Sequence, residues 1–229
     1  MDGEIDNPNF DLRTAAALRG TGGLAILAVL LVVLGLAVGP PVSALFVFIW
    51  LWLSRTPVVD IGLKRPGSWF GVLAVGIVSG VALKLAMKAI VLPYFGAPAV
   101  APIMQDLHGN LNAFLIEVPQ MIILAGFAEE IVFRGFFVNR LQAWLGTGPG
   151  AGVLIVLITA GIFGPAHYLQ QGFFGALQGT IVGVLFASAY LLNGQRLWSL
   201  IVAHATFDVL AIYFIYAGLE ERVAHAVFP

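Results

Sequence analysis

Apolar residues run without a charge from Thr21 to Val38 and, after Pro40 and Pro41, again from Val42 to Leu53. Both read as membrane helices. The second is short for a bilayer that needs about 20 apolar residues, which predicts a tilted span or a tight hairpin with the first. Arg55 to Gly67, with three cations and two prolines, is a polar loop. A third apolar segment covers Ser68 to Leu92, and Pro93 to Asn112 is a longer connection rich in proline and glycine that has room for an interfacial helix. The fourth, Ala113 to Leu145, is apolar except for a charged cluster and ends at the glycine-rich stretch Gly146 to Gly152. Val153 to Tyr168, Phe173 to Leu192 and Leu197 to Gly218 complete the pattern. It predicts an all-α polytopic transmembrane helical bundle of about seven spans. Residues 1–20 are expected as a cytoplasmic N-terminal segment, 21–218 as the membrane domain and 219–229 as a C-terminal tail.

Composition agrees, with 60% hydrophobic and only 10% charged residues in 229. Four acids, Asp2, Glu4, Asp6 and Asp11, precede Arg13 and Arg19, and no polar interval suited to cleavage follows, so the first apolar run is expected as a retained helix. Eleven Lys and Arg against 12 Asp and Glu give a net charge of -1, which argues against nucleic acid as a partner. The absence of cysteine excludes a thiol nucleophile, a disulfide scaffold and thiolate metal sites, so any chemistry falls to carboxylates, imidazoles and hydroxyls.

With about seven spans, Arg13, Arg19, Arg55, Lys64, Arg65, Arg140 and Arg196 share one side, which places the N-terminus in the cytoplasm and Glu220, Glu221 and Arg222 outside. Lys84 and Lys88 fall toward the outer end of the third segment. Spaced i, i+4, they are expected to snorkel to the interface, the alternative being that Lys84 turns inward to an acid such as Glu117. Trp50, Trp52, Trp69 and Trp198 near span ends read as interface anchors, and His108 and His225 as solvated surface residues.

An ionisable side chain inside an apolar span costs several kcal/mol unless it faces protein or water, so each is a candidate for function. Glu129, Glu130 and Arg134 lie in the fourth segment, His167 closes the fifth, and His204 and Asp208 lie in the seventh. Glu130 and Arg134, at i and i+4, are spaced for an intrahelical ion pair, which leaves Glu129 the freer carboxylate. His204 and Asp208 share one helix face by the same spacing. Phe133, Phe136 and Phe137 are expected to pack around the glutamates and to line a hydrophobic entrance. Residue types alone leave three chemistries open: hydrolysis by a Zn²⁺ or similar ion held by Glu129, His167, His204 and Asp208, metal-free hydrolysis with a glutamate base, or a proton relay in transport.

Glu129, Glu130 and Arg134, then Phe163 and His167, then His204 and Asp208, in that order, resemble the three motifs of the CAAX protease and bacteriocin-processing family of intramembrane proteases, the Abi or type II CAAX prenyl endopeptidase group. The loop Ile61 to Pro66 is also similar to that family. The resemblance implies an endopeptidase, glutamate-dependent or metal-dependent, acting on a membrane-embedded or lipidated peptide, prenylated or bacteriocin-like; the short form of the chain leads us to expect a bacterial inner membrane. By the same resemblance Glu129 activates water, His167 holds that water, and His204 with Asp208 stabilises the oxyanion, while Glu130, Arg134 and Phe163 support them. The third motif often ends in Asn in prenyl-protein endopeptidases, and Asp208 stands there in this chain. An ionised aspartate repels an oxyanion, so Asp208 is expected to be protonated, to orient His204, or to belong to a metal site. Rival readings are a non-catalytic membrane scaffold or immunity protein and a proton-coupled transporter.

Counted at 1.5 Å per residue, Glu129 lies about 16 Å from Arg140 and His204 about 12 Å from Arg196, whereas His167 comes out about 21 Å deep. His167 reaches the others only through a tilt of its helix or a break at Gly164 and Pro165.

Overall fold

The computed structural model describes residues 8–100 and 102–228, and these fold as an all-helical assembly. Asp2, Glu4 and Asp6 lie outside the described residues. Helix α1 (Pro8–Arg19) meets α2 (Gly23–Val38) at a 65° bend. The chain turns at Gly39 into α3 (Pro40–Ser54), and the Ser43 hydroxyl donates to the Val32 carbonyl at 2.7 Å, closing the expected hairpin. After the loop, α4 (Trp69–Ala86) starts at Ser68, whose hydroxyl caps the Gly71 amide, and continues through a wider π turn (Met87–Val91) to Tyr94.

The fourth apolar segment begins as α5 (Leu111–Gln120). Two residues after Pro119 it changes to π winding over Met121–Glu129 and Ile131–Phe137, and it ends as α6 (Val138–Leu145). Helices α7 (Pro149–Ala166) and α8 (Tyr168–Leu192) form an antiparallel hairpin, and α9 (Trp198–Tyr216) packs against both α4 and the π-wound segment. A short α10 (Glu220–Ala224) follows.

Among the described residues four helices are long and apolar enough to cross a membrane, and five if the bent pair α1 and α2 counts as one, so a multi-pass integral membrane protein is clear but seven crossings are not reached. The shortfall has physical causes. Helix α3 has 15 residues, and the fourth segment is divided by π winding and carries Glu129, Glu130, Arg134 and Arg140. Outward-facing Phe70, Val78 and Leu192 are 82%, 68% and 87% exposed, as lipid contact requires.

The aromatic core is built from Trp50, Phe133, Phe136, Phe137, Phe163, Phe186 and Tyr190. Trp50 is therefore not an interface anchor: it is buried edge-on against Phe136, and its indole N–H donates to the Leu18 carbonyl. Phe133, Phe136 and Phe137 are likewise buried and line no entrance, because the segment that carries them is enclosed by α3 and the hairpin. Trp52 and Trp69 stay exposed, and Trp69 packs edge-on against Trp198.

The cationic loops gather at one end of the bundle. Arg19 donates to the Ser54 carbonyl at 2.6 Å and Lys64 to the Gly194 carbonyl at 2.7 Å, while Arg55 pairs with Asp11. Arg140 donates to the carbonyls of Leu18, Arg19 and Gly20 at 3.2, 2.8 and 3.3 Å, which satisfies the open C-terminal end of α1. At the far end Lys88 donates to the Ala99 carbonyl at 2.7 Å and pairs with Glu220 at 3.2 Å. Glu220, expected in an exposed tail, is buried by that pairing, whereas His108 and His225 are exposed as expected.

Candidate active site

Local winding and one close approach bring the charged residues together. A Cβ on Gly126 would lie 2.7 Å from Cβ of Ala205, so only glycine lets the π-wound segment lie this close to α9. One turn further along the π-wound segment, Glu130 faces His204, the neighbour of Ala205 on α9. Glu130 is fully buried, and its Oε1 accepts from Arg134 Nη1 at 2.8 Å and from His204 Nδ1 at 2.8 Å. The i, i+4 ion pair read from the sequence is thus made, but Glu130 also orients the imidazole from across the helix contact. The Arg134 guanidinium lies over the rings of Phe163 and Phe186 at 4.6 and 5.4 Å.

With its Nδ1 committed to Glu130, His204 presents Nε2 to two other carboxylates. Asp208 Oδ2 lies 3.3 Å from it and Glu129 Oε2 lies 3.8 Å from it. Glu129 Oε2 is buried with no hydrogen-bond partner among the described residues, a cost that structure alone does not repay. Glu130 Oε2 is open in the same way, but Oε1 of Glu130 holds both Arg134 and His204, which leaves Glu129 the less committed carboxylate. His204 itself is 4% exposed and is flanked edge-on by Phe163 at 5.9 Å and Phe186 at 5.5 Å.

His167 reaches this cluster through the hairpin. Helix α7 keeps Gly164 and Pro165 inside it, and the break falls later, at His167 and at Gly172, whose φ of +65° breaks the helical path within α8. His167 Nδ1 bonds the Phe163 carbonyl at 2.8 Å, and its ring packs edge-on on Phe163 at 4.7 Å. Because Phe163 also touches His204, both histidines flank one aromatic ring.

A metal finds no matching donor set. Among the described residues no group of three or more His, Asp and Glu side chains is arranged to hold a metal ion. His167 Nδ1 and His204 Nδ1 are both spent on other bonds, and the metalloprotease reading gains no support.

Lys84 too lies elsewhere than the sequence reading put it. It does not snorkel, nor does it turn to Glu117. It is buried over the ring of Phe207, the neighbour of Asp208 in the chain, at 4.3 Å. Hydropathy reports depth in the bilayer and not the direction a face points, so the sequence carried only the bare alternative of an inward lysine.

Compared with family models, residues 111–210 match the one described as type II CAAX prenyl endopeptidase Rce1-like. The resemblance in the motifs is a family match over this segment. All seven motif residues fall inside the Rce1-like segment, whereas Lys84 and the loop Ile61 to Pro66 lie outside it. A search of curated proteins and of solved structures finds no match.

Proposed function

We propose that the protein is an intramembrane endopeptidase that hydrolyses a peptide bond of a membrane-associated substrate, prenylated or bacteriocin-like. The Rce1-like match supports a protease of the CAAX type acting on a peptide. The observation that carries the mechanism is the buried, unpartnered Glu129 Oε2 facing Nε2 of an imidazole whose other nitrogen is held by Glu130. Such a carboxylate is a base with an open lone pair in a site that excludes bulk water.

In this reading Glu129 takes a proton from water, with His167 holding that water, and the hydroxide attacks the peptide carbonyl carbon. The oxyanion is met by the Nε2–H of His204. As the tetrahedral intermediate collapses, the C–N bond breaks and Glu129 passes its proton to the leaving amine, so water and amide become acid and amine. The role of His204 needs protons on both ring nitrogens, and Glu130 and Asp208 are the anions that favour this. Of the three expectations for Asp208, the 3.3 Å approach to Nε2 favours orientation of His204.

Seven crossings, with α3 and the π-wound segment as the additional spans, put the cationic end in the cytoplasm by the bias of Lys and Arg toward that side. The test is cleavage of a prenylated CAAX-type peptide by the purified protein in liposomes. Wild type cleaves and Glu129→Gln, folded and equally extractable, does not; equal cleavage by both refutes the assignment.

A further inference from the structure

Lys84 belongs to no motif, yet it is placed against the site. Its helix and α9 run parallel in step: a Cβ on Gly76 would meet Val202, one on Gly80 would meet the Ala203 carbonyl and Thr206, and Lys84 meets Phe207. This register sets the ammonium at the level of Asp208. Lys84 is 6% exposed and makes no hydrogen bond or ion pair among the described residues, its polar contact being the face of Phe207. A buried cation without a direct partner is costly, so charges nearby must balance it. Counted as ionised, Glu129, Glu130 and Asp208 exceed Arg134 and a charged His204 by one negative charge, and Lys84 cancels it. A lysine suits this place because its charge is compact and acts across a gap without the planar geometry an arginine needs.

We propose that Lys84 is the counter-charge of Asp208, a positioning residue that keeps this carboxylate beside His204 and offsets its repulsion of the oxyanion. The charge pairing rests on the register of the two helices and on the contact with Phe207, while the oxyanion part rests on the proposed peptidase function.

The test is a double-mutant cycle of Lys84→Met and Asp208→Asn, read by thermal unfolding in detergent and by cleavage of the prenylated peptide. Lys84→Met is expected to lower Tm more, or raise it less, when residue 208 is Asp than when it is Asn. It is also expected to lower kcat by about 10²-fold with little change in KM, the size of effect seen when one oxyanion-stabilising group is lost. At least about tenfold of that returns in the double variant, as coupled neighbours show. If Lys84→Met gives no folded protein, Lys84→Gln takes its place. Additive Tm effects overturn the pairing whatever the activity does, and a coupled Tm with unchanged kcat overturns the oxyanion role. A wild-type protein that cleaves nothing refutes the proposed function and with it the oxyanion role, and leaves the Tm cycle to decide the pairing.

Discussion

Arg134→Met tests how the site is held. The guanidinium is 1% exposed, donates to Glu130 at 2.8 Å, and lies over Phe163 and Phe186 at 4.6 and 5.4 Å. Methionine keeps much of the apolar stem and removes the charge, leaving a fully buried Glu130 carboxylate with His204 as its partner. Breaking a buried ion pair from one side costs about 3–5 kcal/mol, because the remaining charge is uncompensated. At about 2–4 °C per kcal/mol for a chain of this size, that lowers Tm by roughly 6–20 °C. Thermal unfolding of the detergent-purified protein, followed by tryptophan fluorescence with Trp50 as the core reporter, measures it. Removing both charges in Glu130→Gln with Arg134→Met recovers more than half of the loss, since no bare charge is left behind. A Tm for Arg134→Met within about 2 °C of wild type refutes the view that this pair holds the core together.

Gly126→Val places a branched side chain where Cβ alone would stand 2.7 Å from Ala205, so overpacking of about 1–3 kcal/mol moves Glu130 away from His204. Cleavage and Tm both fall, and unchanged activity would show that the close approach is dispensable. Because no triad of ligands forms among the described residues, cleavage is expected to survive chelation. Loss of activity on treatment with a chelator, restored by Zn²⁺, would contradict the glutamate-base reading.

Contacts within one helix were legible from the sequence and contacts between helices were not. Glu130 with Arg134 and His204 with Asp208 follow from spacing alone, and both pairs are close in the structure at 2.8 and 3.3 Å. The bond from His204 to Glu130 depends on how near α9 comes to the π-wound segment, and that distance is set by Gly126 and Ala205, two residues no motif distinguishes. Arg140 read as a cytoplasmic cation, and it lies at the cationic end. Its role in closing the carbonyls of α1 needed the fold. The span count goes beyond the four or five long apolar helices where winding departs from the ordinary helix, because hydropathy treats Ala113 to Leu145 as one apolar run and does not register a change to π winding after Pro119.

The hairpin of α7 and α8 has a consequence for how a peptide could come to the charged cluster. Glu129, Glu130, Arg134, His204 and Asp208 stand on two elements locked together at Gly126, whereas Phe163 and His167 come from the hairpin. Around His204 the join between these halves consists of ring edges and faces: Phe133 on Phe163 at 4.8 Å, and Phe163 and Phe186 on His204. Such contacts hold by area and not by bond direction, so they yield to sliding where a hydrogen-bonded seam would not. A sideways shift of the hairpin would therefore carry His167 with it, while the carboxylates and His204 keep their mutual distances.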